Sequence, residues 1–180
     1  MTSPKAKELA MDEMIKFLHN NGIEIGASEY QDLKAKGTFF RKVVELGNYN
    51  TANLKVISAD FGILAKKGDA QYLILGTVAT NYPKKFLTPI SDGSGFTKPV
   101  AKGRHGAEMI DADLHVVICL SGIHPTIHSV HEKKLIQSIL HFGKGKETIV
   151  LEWDKVNGIK QGLHSPDKIL SAISAAENRP

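Results

Sequence analysis

Leu114-His115-Val116-Val117-Ile118-Cys119-Leu120 is a continuous apolar run of the kind a strand buried on both faces requires. The residues downstream of it decide the fold class. Ser129-Val130-His131-Glu132 has capping-box spacing and opens a helix whose inner face holds Leu135, Ile136, Ile139 and Leu140, with Gly143 as its stop. Glu147 to Trp153 is a second strand. Strand, helix and strand in this order predict a right-handed βαβ crossover. Ser165-Pro166-Asp167 caps a last helix carrying Ile169, Leu170 and Ile173.

Upstream of this unit the pattern changes. Ser3 is an N-cap candidate and Pro4 fits the first helical position. Ala10, Met11, Met14, Ile15, Phe17 and Leu18 share one broad helical face, and Asn20-Asn21-Gly22 ends it. A second helical stretch is expected over Ser28 to Leu46, interrupted near Gly37. Asn53 to Ala65 and Gln71 to Thr80 are rich in Val, Ile, Leu and Tyr and flank Lys66-Lys67-Gly68-Asp69, which predicts a hairpin. From Asn81 to Ala112 periodicity fails and Gly and Pro accumulate, so a long loop is expected there. The expected fold class is α/β (or α+β): a single mixed sheet with a β-hairpin, a C-terminal βαβ unit and flanking helices, in one globular domain over 1–180.

Composition bounds the function classes. At 180 residues and 42% hydrophobic content the chain can bury a real core. No apolar run approaches the ~20 residues of a membrane span, and the first residues lack the pattern of a signal peptide. The single cysteine, Cys119, excludes an internal disulfide and suits a reducing cytoplasm, where it is expected as a buried structural thiol. A net charge of +4 and a pI near 9.1 permit an anionic partner without requiring one.

Three features carry candidate chemistry. His124, His128 and His131 are spaced by four and then three residues. On one helix they would lie within about 60° of each other, where neutral imidazoles suit a divalent metal such as zinc or manganese. They also lie beyond the C-terminal end of the Leu114–Leu120 strand, where open α/β sheets place their sites. Against this, Pro125 and the Ser129 cap put His124 ahead of the helix. Asp60 is the second feature. It interrupts the run Val56 to Leu64 and is costly to bury unless paired or holding a cation, or else it faces solvent where the run bends at Gly62.

The order of an N-terminal helical part, a hairpin bearing Asp60, a third strand, a helix and a fourth strand resembles the core of the restriction-endonuclease-like nucleases. That resemblance implies a divalent metal held by an Asp on one hairpin strand and Glu-x-Lys on the next. Asp60 matches the first position. The second strand reads Tyr72-Leu73-Ile74-Leu75-Gly76-Thr77-Val78-Ala79, without the Glu and Lys, which implies a copy that lost metal catalysis or draws its acids elsewhere, for example from Glu45.

The third feature is the basic segment. Lys84, Lys85, Lys98, Lys102, Arg104 and His105 gather positive charge among glycines, with Phe86 and Phe96 available for stacking unpaired bases. The plain alternative is a solvated loop. Arg104-His105 with Asp111 and Asp113 offers an acid–base set.

These features point to two function classes. The first is a metal-assisted hydrolase of a phosphodiester or nucleotide-like anion, with His124, His128 and His131 as ligands, His105 and Asp60 as catalytic groups, and Lys102 and Arg104 as anion-binding residues. The second is a non-catalytic module binding nucleic acid or a protein partner through the basic loop. In the hydrolase, that loop is expected as a lid bringing Arg104 and His105 to within about 10 Å of His128.

Overall fold

The computed structural model describes residues 4–30, 59–79, 104–105, 107, 112–120, 141–142 and 146–177. The chain begins with helix α1 (Pro4–Asn20), succeeded by strand β1 (Glu24–Tyr30). Strands β2 (Phe61–Lys67), β3 (Ala70–Ala79) and β4 (Leu114–Cys119) come next, then the two-residue strands β5 (His141–Phe142) and β6 (Lys146–Glu147). Strands β7 (Ile149–Asp154) and β8 (Gly158–Gln161) and helix α2 (Asp167–Glu177) complete the described order. Six strands form one mixed sheet in the order β1-β2-β3-β4-β7-β8, and β5 and β6 form a separate antiparallel pair. Strands β3, β4 and β7 are mutually parallel, whereas β1–β2, β2–β3 and β7–β8 are antiparallel. This is the expected α/β architecture. No helix among the described residues is long and apolar enough to cross a membrane.

Local chemistry explains the element ends. The Ile23 N–H donates to the Leu18 carbonyl and the Gly22 N–H to that of His19, with Gly22 at φ +76°, so α1 closes in a Schellman motif. Leu18 and Ile23, the residues whose contact accompanies that motif, are both buried. In the hairpin, Lys67 pairs with Ala70 and leaves Gly68-Asp69 as a two-residue turn, with Gly68 at φ +61°. At α2 the Ser165 Oγ accepts the Asp167 N–H at 3.3 Å, as an N-cap should.

The two helices contribute to the same core. Ala10, Met11, Met14 and Leu18 of α1 and Ile169 and Ile173 of α2 cluster with Phe61, Ile63, Ile74, Val78, Val116, Ile118, Ile149 and Leu151. Alternation sends Leu73, Leu75, Val117, Cys119 and Val150 to the opposite face, and these are also at 0% exposure. A sheet covered on both sides explains why β4 is buried at all six positions.

Four expectations change. Ser28, Glu29 and Tyr30 lie in β1, paired with Ile63, Gly62 and Phe61, rather than opening a helix; the rest of the Ser28–Leu46 stretch lies outside the described residues. His141-Phe142 is β-paired with Lys146-Glu147, so no helix runs on to Gly143. Arg104, His105 and Ala107, within the expected long loop, are helical. Finally, the sheet gains an unforeseen strand, β8, behind the Asn157-Gly158 turn. The helix expected from Ser129 lies outside the described residues, but the parallel pairing of β4 with β7 is the arrangement a βαβ unit requires.

Candidate functional site at the carboxyl edge of the parallel strands

Strand β2 runs against β3, so its start and the end of β3 meet at one edge of the sheet. The parallel strands β4 and β7 also end at that edge. Asp60 stands there, immediately before β2. Its N–H donates to the Gly76 carbonyl at 2.8 Å, and its Oδ2 accepts the Val78 N–H at 2.7 Å. Its Oδ1 lies 3.4 Å from Nζ of Lys7, one turn into α1. The two side chains are only 13% and 4% exposed. Asp60 therefore does not face solvent. Burial pushes its pKa above the ordinary 3.8, opposed by the Val78 N–H and by the Lys7 charge. A lysine in the first turns of a helix reads as a solvated residue; here its aliphatic stem crosses the core edge and delivers the ammonium to a carboxylate.

A divalent ion does not fit at Asp60 among the described residues. One carboxylate oxygen faces an ammonium and the other a backbone N–H. The neighbouring β3 positions, Gly76, Thr77 and Val78, bring no second acid. No group of three His, Cys, Asp or Glu side chains able to hold a metal occurs among the described residues.

A second polar cluster lies inside the sheet. His115, on β4 and at 0% exposure, has Nε2 2.8 Å from the Thr77 hydroxyl and Nδ1 2.8 Å from the Thr148 hydroxyl. A hydroxyl both donates and accepts, so either neutral tautomer is satisfied. Burial, with a further push from the nearby positive charge of Arg104, lowers the pKa of His115 from 6.5 to about 3. The imidazole is thus neutral throughout the physiological range and ties β3 and β4 to the entry of β7. Its partners lie 38 and 33 residues away in sequence, so no local pattern announces the cluster.

The other candidates divide clearly. Arg104 is half-buried and His105 exposed, on consecutive helical residues. The Asp113 carboxylate accepts the Leu73 N–H at 2.8 Å, and its own N–H donates to the Leu73 carbonyl, so it extends the β3–β4 junction. Cys119 is buried, and burial together with the charge of Glu152 raises its thiol pKa, keeping it protonated as expected of a structural cysteine. His124, His128, His131, Lys102, Asp111 and Glu45 lie outside the described residues, as does the His105–His128 separation.

Comparison with known proteins finds no family model, no curated relative and no solved structure that matches the chain.

Proposed function

We propose that the chain is a hydrolase acting on a phosphodiester or nucleotide-like anion at the edge of the sheet where β3 and β4 end and β2 begins. The observation that carries this reading is the buried Lys7–Asp60 pair at that edge. A buried ion pair is weak evidence for stability, because desolvation offsets much of its attraction. Perturbed titratable groups concentrate at functional sites, and open α/β sheets bind ligands beyond the carboxyl ends of their strands. In this reading Asp60 holds Lys7 in place, and the Lys7 ammonium supplies positive charge where a phosphoryl group gains negative charge.

Metal assistance is assigned to His124, His128 and His131, which the chain reaches shortly after leaving β4. A zinc or manganese ion held there would polarise a phosphoryl oxygen and acidify a bound water. His105, which is exposed, serves as general acid or base, and Arg104 and Lys102 as anion clamps. Elemental analysis of the untagged protein tests this assignment. About one transition-metal ion per chain is expected. Metal-free protein whose melting temperature does not respond to added zinc or manganese contradicts it.

A second reading has its own support. Asp60 is already neutralised by Lys7 and bonded to Val78, and β3 carries neither the Glu nor the Lys that the nuclease resemblance implies. A nuclease-like sheet of this kind serves as a non-catalytic module that binds nucleic acid or a protein partner through the basic segment 81–112. Single-stranded DNA binding that weakens steeply with salt, and without strand cleavage, would select it. Lys102→Ala is the cleaner probe of that segment, since truncating half-buried Arg104 would also disturb packing near His115.

A further inference from the structure

Where β7 turns into β8, a cleft of about 230 Å³ opens against the second half of α1. Its exposed lining is mostly polar, with a smaller apolar part from Trp153, Phe17 and Ile159, and Glu13, Lys16 and Lys155 bring charge to it. Asn157 and Gly158 close the hairpin that forms one wall. That wall is stiff: the Asp154 Oδ1 accepts the N–H groups of Val156 and Asn157 at 2.9 and 2.6 Å, and Lys160 clasps its Oδ2 at 2.7 Å. The Trp153 indole N–H is shut off from solvent and has no hydrogen-bond partner among the described residues. A buried donor of this kind is normally satisfied, so the ring is held by packing alone.

We infer that this cleft is a subsite for one amino-bearing nucleobase of a phosphate-carrying ligand. The inference rests on the nucleotide-like substrate class proposed above and adds where, and by what chemistry, the base is held. Pockets that engulf drug-sized ligands run to ~300–1,000 Å³; this one is smaller and takes a single ring system, leaving ribose and phosphate at the mouth. Trp153 and Phe17 supply the aromatic surface on which a base stacks. The Glu13 carboxylate only accepts hydrogen bonds, so it selects an exocyclic amino group, as in adenine or cytosine, and rejects the carbonyl at the matching position of uracil. Lys16 and Lys155, both exposed, are placed to take the phosphate.

Trp153 is the only tryptophan of the chain, so intrinsic fluorescence reads the cleft directly. Titration of the full chain with adenosine, cytidine and uridine monophosphates and with ribose phosphate is the test. Saturable quenching by the adenosine and cytidine compounds is expected, about tenfold tighter than by the uridine compound, a difference worth one good hydrogen-bonded contact. Glu13→Gln should erase that preference, and Lys16→Ala with Lys155→Ala should weaken binding about tenfold and flatten its salt dependence, with unchanged circular dichroism. No saturable response, or an equal response to the uridine compound or to ribose phosphate, overturns the subsite. Quenching without turnover of any phosphodiester keeps the subsite and removes the hydrolase. Turnover that the Glu13 and lysine variants leave untouched removes the subsite and keeps the hydrolase.

Discussion

Replacing Gly76 by alanine probes the centre of the sheet, next to the proposed site. Gly76 stands opposite Phe61 in the β2–β3 register, and both are buried. A Cβ on Gly76 would overlap the Phe61 ring, against its Cζ, Cε1 and Cε2 atoms. Non-bonded carbons rest ~3.5–4.0 Å apart, so the ring must turn away or the strands must part. Overpacking a tight core costs ~1–3 kcal/mol and occasionally more; a methyl group overlapping a ring belongs at the upper end, about 3 kcal/mol. For a chain of this length that lowers Tm by roughly 6–12 °C. Phe61→Leu removes the obstacle at a cost on the order of 1–2 kcal/mol, and in that background Gly76→Ala should add little. Urea unfolding of the two single variants and the double variant reads the coupling directly. A Gly76→Ala cost below ~0.5 kcal/mol, or strict additivity with Phe61→Leu, would refute the packing of Phe61 over Gly76 and with it the strand register that positions Asp60.

Three further outcomes are expected. Lys7→Met leaves the Asp60 carboxylate buried without its cation and should cost about 3 kcal/mol at neutral pH, the low end for breaking a buried pair. The Lys7 charge holds the buried carboxyl's raised pKa down, so without it the pKa rises further and the penalty should shrink as pH falls from the variant's folded pKa to that of the wild type; an equal penalty in acid and at neutral pH would contradict the pairing. For His115 the sign is opposite: its folded pKa is lowered from 6.5 to about 3, so the unfolded chain binds the proton first and stability is lost as pH falls across that window. The slope is at most ~1.4 kcal/mol per pH unit, about 2 kcal/mol by pH 5, and His115→Gln should remove it from the acid limb of a stability-against-pH curve; an unchanged limb would rule out a buried neutral imidazole. Gly158→Ala forces a side chain onto φ +66° and sets its Cβ 3.3 Å from the Glu13 carboxylate, so a loss of ~1–2 kcal/mol in denaturant unfolding is expected; no loss would mean that the hairpin turn is not held as described.

The fold is legible where the signal is local. The β2–β3 hairpin announces itself by two apolar runs around Gly68-Asp69, β4 by uninterrupted burial, and α2 by its Ser165 cap. The last three residues of β1, Ser28 to Tyr30, read as the start of a helix and the rest carries no strand signal, because it is an edge strand, only Ala27 of its seven residues is buried, and a register shift between Ile25 and Ala27 breaks its alternation. Strand β8 does carry a signal, since Asn157-Gly158 is a strong hairpin dipeptide. Of the site, Asp60 stands out because a carboxylate in an apolar run demands a partner. The identity of that partner does not, since Lys7 comes from a helix far away in sequence and only the packing of α1 on the sheet brings the two together. The Thr77–His115–Thr148 cluster is invisible for the same reason.

The proposed hydrolase cleaves phosphodiesters at the edge bearing Asp60 and Lys7. Cleavage of a short labelled single-stranded oligonucleotide by the untagged chain, with zinc or manganese supplied and with Asp60→Asn measured beside the wild type, tests it most directly. Metal-dependent cleavage is expected, reduced by at least ~10²-fold in a folded Asp60→Asn chain, the scale on which positioned acid, base and charge groups act. A folded wild-type chain that cleaves nothing with either metal, or an Asp60→Asn chain that cleaves equally well, would contradict it.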